Sequence, residues 1–248
     1  EIMSGDWSSD VCSSDLQAIY GVGGGITWDS TWESEYREVQ QKAAVLYRKQ
    51  PRFQLITTGK ISQKTLLFEK QHLERLKKAS RYFAFPFDQE VLRQKLEKEC
   101  QACDLHQDYR LRISLSKSGE IEIERQVLTP LSSSFCQAKL CQQEADLQQA
   151  FTYFKTTHRP HLTVGEQEII YHTADGKLLE TSIGNLVLKM NSKLYTPPNT
   201  LDILPGIYRQ HLLESGQVEE KVLTVEDLKQ AEVIYGCNAV RGLYELKI

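Results

Sequence analysis

Lys155 follows three aromatic residues and precedes two β-branched hydroxyl residues in Phe151-Thr152-Tyr153-Phe154-Lys155-Thr156-Thr157. An amine beside so apolar a stretch is partly desolvated. Its pKa falls, and the free amine can then form a Schiff base with a carbonyl. The plainer alternative is a lysine whose ammonium reaches solvent along an apolar stem. Glu180 comes next, at a strand end before Thr181-Ser182-Ile183-Gly184, and Asn185 opens the following strand. A buried carboxylate there suits the protonated nitrogen of a pyridine ring; on the surface it would be an ordinary strand-end glutamate.

Three further features suit an anion. Pro205-Gly206 runs straight into the helix that starts at Ile207 and Tyr208, and the first amides of a helix receive phosphate. Asn238-Ala239-Val240-Arg241-Gly242 is a small-residue turn after a strand, where backbone amides face outward. Arg75, in His72-Leu73-Glu74-Arg75-Leu76, supplies a cation for the same group. A lysine amine, a carboxylate and a phosphate cradle are together what pyridoxal 5′-phosphate requires. Glu35 and Glu38 lie three apart on one helix face and could share a Mg²⁺. Their alternative is a solvated acidic face. Gly21-Val22-Gly23-Gly24-Gly25-Ile26 has the composition of a phosphate loop but lacks its Lys-Ser/Thr.

The chain of 248 residues is 40% apolar and 25% charged, an ordinary composition for one large or two modest domains. Thirty basic against 33 acidic residues leave a net charge of −3, which gives no electrostatic case for nucleic acid or an anionic membrane. The absence of an 18-residue apolar run excludes a membrane helix. No basic stretch precedes an apolar one at the start, so a cytoplasmic location is expected. Of six cysteines, Cys100 and Cys103 form a C-x-x-C inside a charged helix with no second ligand pair, which favours reduced thiols over zinc.

Four segments position these residues. Residues 1–16 read as a disordered or non-native leader. Residues 17–50 read as a strand, a Gly-rich turn and a helix with Val39, Ala43 and Leu46 at helical spacing. Residues 51–130 read as strands at 53–58 and 65–69 around a turn, two helices, then a hairpin about Lys117-Ser118-Gly119-Glu120, a small α+β layer. Residues 131–248 form a larger, strand-dominated layer, its first twenty residues a Ser- and Gln-rich connector.

On these strings residues 51–248 resemble the class IV aminotransferases, the fold-type IV pyridoxal-phosphate family. The matching strings are Leu67–Asp88, Lys155-Thr-Thr-His-Arg-Pro160, Leu178–Leu188, Ile203–Leu213 and Cys237–Gly242, in the family's order. The resemblance implies an α+β, two-domain fold like that of D-amino-acid aminotransferase. It makes Lys155 the Schiff-base lysine and Glu180 the pyridine-nitrogen partner. Arg75, Ile207, Tyr208 and Ala239 fall where the family holds phosphate, and Asn185 matches a family asparagine near the site. Two features depart from the pattern: Lys155 and Glu180 are only 25 residues apart with no helix apparent after the lysine, and position 208 is Tyr rather than a small hydroxyl residue. Residues 17–49 resemble the C-terminal end of chorismate-utilising enzymes, in which glutamates matching Glu35 and Glu38 bind Mg²⁺; Mg²⁺ is expected here only with the missing remainder of that domain. The juxtaposition resembles bifunctional proteins that make 4-aminobenzoate for folate. It implies an aminodeoxychorismate lyase acting on a small-molecule substrate as a homodimer. A branched-chain or D-amino-acid transaminase and an inactive truncated homologue are the alternatives.

Overall fold

The computed structural model describes residues 21–47, 51–131, 133–143 and 149–248. The leader, the residues 17–20 of the expected first strand, and Cys12 lie outside them. The chain divides into two units, Glu1–Pro51 and Arg52–Ile248, and each is described by itself.

In the first unit, Trp32–Tyr47 is helix α1. The Thr31 hydroxyl accepts from the Ser34 amide at 3.3 Å, which caps the helix, and Glu33 and Glu35 sit in its first turn at the positive end of its dipole. Residues 21–31 contain no strand. Four glycines in five residues offer no side chains to pack on a sheet.

The second unit opens with a four-stranded antiparallel sheet. Strand β1 (Leu55–Ser62) turns at Gln63 and Lys64, both left-handed at φ 49° and 60°, into the two-residue β2 (Thr65–Leu66). The turn is therefore confined to the last two residues of the predicted 59–64, the first strand runs further, and the second is shorter, than the sequence predicts. Gly59 stays inside β1 because His72 packs against it; a Cβ there would lie 2.5 Å from Nε2. Helices α2 (Glu69–Phe83) and α3 (Gln89–Gln101) follow, the second capped by Asp88, whose carboxylate accepts from the Glu90 and Val91 amides. The hairpin of β3 (Tyr109–Leu115) and β4 (Ile121–Val127) completes the order β2-β1-β3-β4. Alternation along β3 sends Leu111 and Ile113 into a core with Leu73, Leu76, Leu92 and Leu96. It sends Arg110 and Arg112 to the opposite face, where Thr58 is paired with Arg112.

The second sheet holds eight strands. They are β5 (Phe135–Gln142), β6 (Glu168–His172), β7 (Leu178–Thr181), β8 (Asn185–Met190), β9 (Lys193–Thr196), β10 (Glu219–Glu220), β11 (Val233–Asn238) and β12 (Gly242–Lys247). The order is β10-β9-β8-β11-β12-β5-β6-β7, and β7 also pairs with β8. Six of the strands thus close on themselves, and the closing pair is Glu180 opposite Asn185. Strand β5 corrects the sequence reading of 131–150 as a connector. Of its residues only Ala138 is buried, so its polar sequence hides a strand held by parallel neighbours β6 and β12. The strand expected over Val218–Thr224 shrinks to β10. Three short helices complete the unit: α4 (Gln149–Tyr153), α5 (Ile207–Glu214) and α6 (Val225–Gln230). No helix among the described residues is long and apolar enough to cross a membrane.

Candidate active site

Lys155 is placed by its neighbours on both sides. Before it, Phe151 and Phe154 enter an aromatic cluster with Phe53, Tyr82 and Phe83, at ring separations of 4.6–5.7 Å. After it, the backbone pairs with the start of β1. The Ile56 amide donates to the Lys155 carbonyl and the Thr157 amide to the Gln54 carbonyl, both at 2.9 Å. The lysine is thereby pinned between the two sheets and lines a cleft of about 600 Å³. Burial holds its pKa well below the ordinary lysine value, and the charges of Arg75, Arg159, Arg110 and Arg112 lower it further.

Glu180 is 2% exposed and does not itself line the cleft; it sits behind Leu204, which does. Burial pushes its carboxyl up to about 7, against the opposing pull of Arg159, the Leu204 amide, Lys155 and Arg75. Three of the predicted residues converge on one short segment, Leu204-Pro205-Gly206. The Leu204 amide donates to Glu180 Oε1 at 3.4 Å, Asn185 Nδ2 donates to the Leu204 carbonyl at 2.8 Å, and Arg75 donates to the Pro205 carbonyl at 2.7 Å. These bonds aim the N-terminus of α5 at the cleft. Gly206 is the cap residue, without a side-chain hydrogen bond of its own, so the first amides of α5 are free to receive an anion. A Cβ at 206 would lie 1.8 Å from Asn185 Oδ1, so only glycine fits.

Arg75, Asn185, Ile207 and Ala239 line the cleft. Tyr208 does not: its ring packs edge-on against Phe68 at 6.0 Å, and its hydroxyl lies 3.2 Å from where a Cβ on Gly242 would stand. Its hydroxyl therefore does not replace the small hydroxyl residue of the family; only its backbone amide, in the first turn of α5, is placed for an anion. The segment from Lys155 to β6 contains no helix, in keeping with the short interval.

The cleft contains cations that sequence reasoning missed. Arg110 and Arg112 project from β3, Arg241 from the turn after β11, and Arg159 from the loop after the lysine. With Arg75 that makes five guanidinium groups, and among the described residues no Asp or Glu lines the cleft. Arg159 Nε is buried without a hydrogen-bond partner among the described residues. The Arg-x-Arg spacing on a predicted strand was the available signal for the first pair; Arg159 had none beyond its closeness to Lys155.

In the first unit, Glu35 and Glu38 converge on Gly24, where a Cβ would meet their oxygens at 3.0 and 3.4 Å. Ser30 donates to Glu35 at 2.6 Å, and Lys42 pairs with Glu38 at 2.5 Å. Among the described residues no three His, Cys, Asp or Glu side chains gather as a metal site would need.

The two sheets, the cleft between them and its lysine are the architecture of an amino-group-transforming enzyme. The chain belongs to the class IV aminotransferase family, which matches residues 54–247. Residues 11–48 match the chorismate binding enzymes. An amino-acid aminotransferase provisionally assigned in Mesorhizobium loti is 25% identical, with TM-score 0.68, over 79% of this chain and 99% of the other. A provisionally assigned 4-amino-4-deoxychorismate lyase from Haemophilus somnus is 24% identical, with TM-score 0.61, over 79% and 100%. An uncharacterized Haemophilus influenzae protein is 38% identical over 69 residues, which is 28% of this chain and 36% of its own length.

Proposed function

We propose that this chain is a pyridoxal-phosphate-dependent 4-amino-4-deoxychorismate lyase, releasing pyruvate to leave 4-aminobenzoate. The observation that carries the reading is the charge of the cleft: among the described residues its walls hold five arginines and no carboxylate. A phosphate dianion and Glu180 offset part of that charge. The remainder suits a substrate with two carboxylates, which a branched-chain amino acid lacks. The match of residues 11–48 to chorismate binding enzymes supports the same substrate class, and a parent protein that fuses the two activities.

The residues present fit the cofactor. A buried amine whose pKa is lowered faces the cleft, a buried carboxyl stands behind Leu204, and among the described residues Arg159 Nε lacks a hydrogen-bond partner and the N-terminus of α5 has no side-chain cap. In this reading Lys155 would hold the cofactor covalently through its amine, Glu180 would be the carboxyl partner of its ring nitrogen, and Asn185 would fix the wall beside it. Arg75, the amides of Ile207 and Tyr208, and the turn at Ala239 would hold its phosphate. The bound cofactor supplies an electron sink. Lys155, its pKa lowered by burial and by the surrounding guanidinium groups, would take the proton from the amine-bearing ring carbon. The ring carbon–oxygen bond then breaks, the ring becomes aromatic, and the proton ends on the departing three-carbon acid as pyruvate. Arg110 and Arg112 orient the substrate carboxylates.

Val164 and Ile183, 70% and 43% exposed at the cleft, suit a second copy covering the site, hence a homodimer. A second reading, transamination, has the Mesorhizobium loti relative in its favour. The cofactor-loaded protein is tested with 4-amino-4-deoxychorismate for pyruvate, and with amino acids plus a 2-oxo acid for amino-group exchange. Pyruvate release without any 2-oxo acid is expected. Exchange alone would select the transaminase, and neither activity the inactive homologue.

A further inference from the structure

Glu168 opens β6 and takes no part in the chemistry above. It is 8% exposed, and among the described residues neither carboxyl oxygen has a hydrogen-bond partner of normal geometry. A buried carboxyl without a function would cost stability, so its surroundings matter. It faces two hydroxyls, those of Tyr244 and Thr181, and burial raises its pKa.

Tyr244, 5% exposed on β12, stands beneath the cleft floor. Its ring fills the space above two glycines. A Cβ on Gly236 would lie 2.6 Å from the ring, and one on Gly184 would lie 3.2 Å from the hydroxyl. Asn238 Nδ2 donates to that hydroxyl at 3.5 Å. The tyrosine proton is then free to be donated towards Glu168 or Thr181.

Each of these partners controls one cleft-lining turn. Asn238 Oδ1 accepts from the Val240 and Arg241 amides, both at 3.0 Å, and so shapes the turn that carries Ala239. Thr181 Oγ1 accepts from the Gly184 amide at 3.0 Å, and the Thr181 amide donates to the Gly184 carbonyl at 2.8 Å, which closes the turn next to Glu180. The Tyr244 hydroxyl is the meeting point of the two turns, and Glu168 stands behind it.

We infer that Tyr244 and Glu168 are positioning residues that lock the Ser182–Gly184 and Asn238–Arg241 turns to one another, so that both ends of the cofactor are gripped together. The second half rests on the reading of this cleft as a pyridoxal-phosphate site. The locking itself does not, and the two are tested separately.

In cofactor-free protein, Tyr244→Phe is expected to speed amide hydrogen exchange in both turns together, by about ten-fold, while α2 and α3 keep wild-type protection. In the presence of pyridoxal phosphate, measured well below the melting temperature, the same variant should bind the cofactor about ten-fold more weakly, the worth of one buried hydrogen bond. Glu168→Ala should match it, and the double variant should be no worse than either. Glu168→Gln, which keeps a side-chain oxygen facing the Tyr244 hydroxyl, should restore binding to within about three-fold of wild type. Faster exchange in one turn only, or in neither, overturns the locking. Locked turns with unchanged cofactor affinity in both variants overturn its consequence for binding. A wild type that takes up no cofactor overturns the functional reading instead, and the exchange data still decide the locking.

Discussion

Glu180→Gln separates a catalytic carboxyl from a structural one, because the two roles move stability and turnover in opposite directions. In the cofactor-free protein burial raises this carboxyl from 4.5 to about 7. A group whose folded pKa is raised contributes stability that is fully present below its unfolded pKa and is lost as pH rises through its folded pKa. The loss here falls between pH 4.5 and about 7, and its size is about 3 kcal/mol at pH 8. Glutamine keeps an oxygen for the Leu204 amide and never ionises, so the variant escapes that loss. For a chain of this size about 3 kcal/mol is roughly 6–12 °C in melting temperature. The assay is thermal unfolding of both proteins, without cofactor, from pH 4.5 to 8.5. The variant should match wild type at the acid end and exceed it by several degrees at pH 8. With cofactor bound, a positive ring nitrogen favours the ionised carboxyl, so the gap should close. Turnover of the variant should nevertheless fall by about 10². A melting difference that does not change with pH, or near-normal turnover, would refute the buried-carboxyl argument.

Lys155→Met should raise the stability of the cofactor-free protein at neutral pH. A lysine whose folded pKa is lowered opposes folding at every pH below its ordinary value, and the gap should shrink as pH rises towards 10; urea unfolding at pH 7 and pH 10 checks both. Gly206→Ala places a Cβ 1.8 Å from Asn185 Oδ1, so it should cost about 2 kcal/mol or more and weaken cofactor retention on dialysis. The double substitution Arg110→Leu, Arg112→Leu should raise KM for a dicarboxylate substrate about 100-fold, with the dissociation constant for pyridoxal phosphate unchanged within about three-fold. Equal loss of both would place these arginines at the phosphate instead.

The parts of this site that the sequence reveals are those with strong local patterns. A lysine after an aromatic run, a Pro-Gly helix start and a carboxylate at a strand end each imply their surroundings, and Lys155, Ile207 and Glu180 are found in such surroundings. Strand β5 was hidden because a strand between two parallel neighbours, with only Ala138 buried, needs no apolar alternation. The extension of β1 through Gly59–Ser62 was hidden because glycine suggested that the strand would end there; His72 packs on Gly59 and carries the strand on to the Gln63-Lys64 turn. Arg159 and Glu168 owe their importance to contacts with distant strands, which no spacing along the chain encodes. Gly206 is a special case. Its Pro-Gly context was visible, but the reason for glycine is the Asn185 side chain, 21 residues away.

Reduction with borohydride in the presence of pyridoxal phosphate, followed by peptide mapping, tests the central claim most directly. The account predicts one modified peptide, bearing the cofactor on Lys155, and none in Lys155→Met. Modification spread over exposed lysines such as Lys139, or a wild type left unmodified, would contradict it.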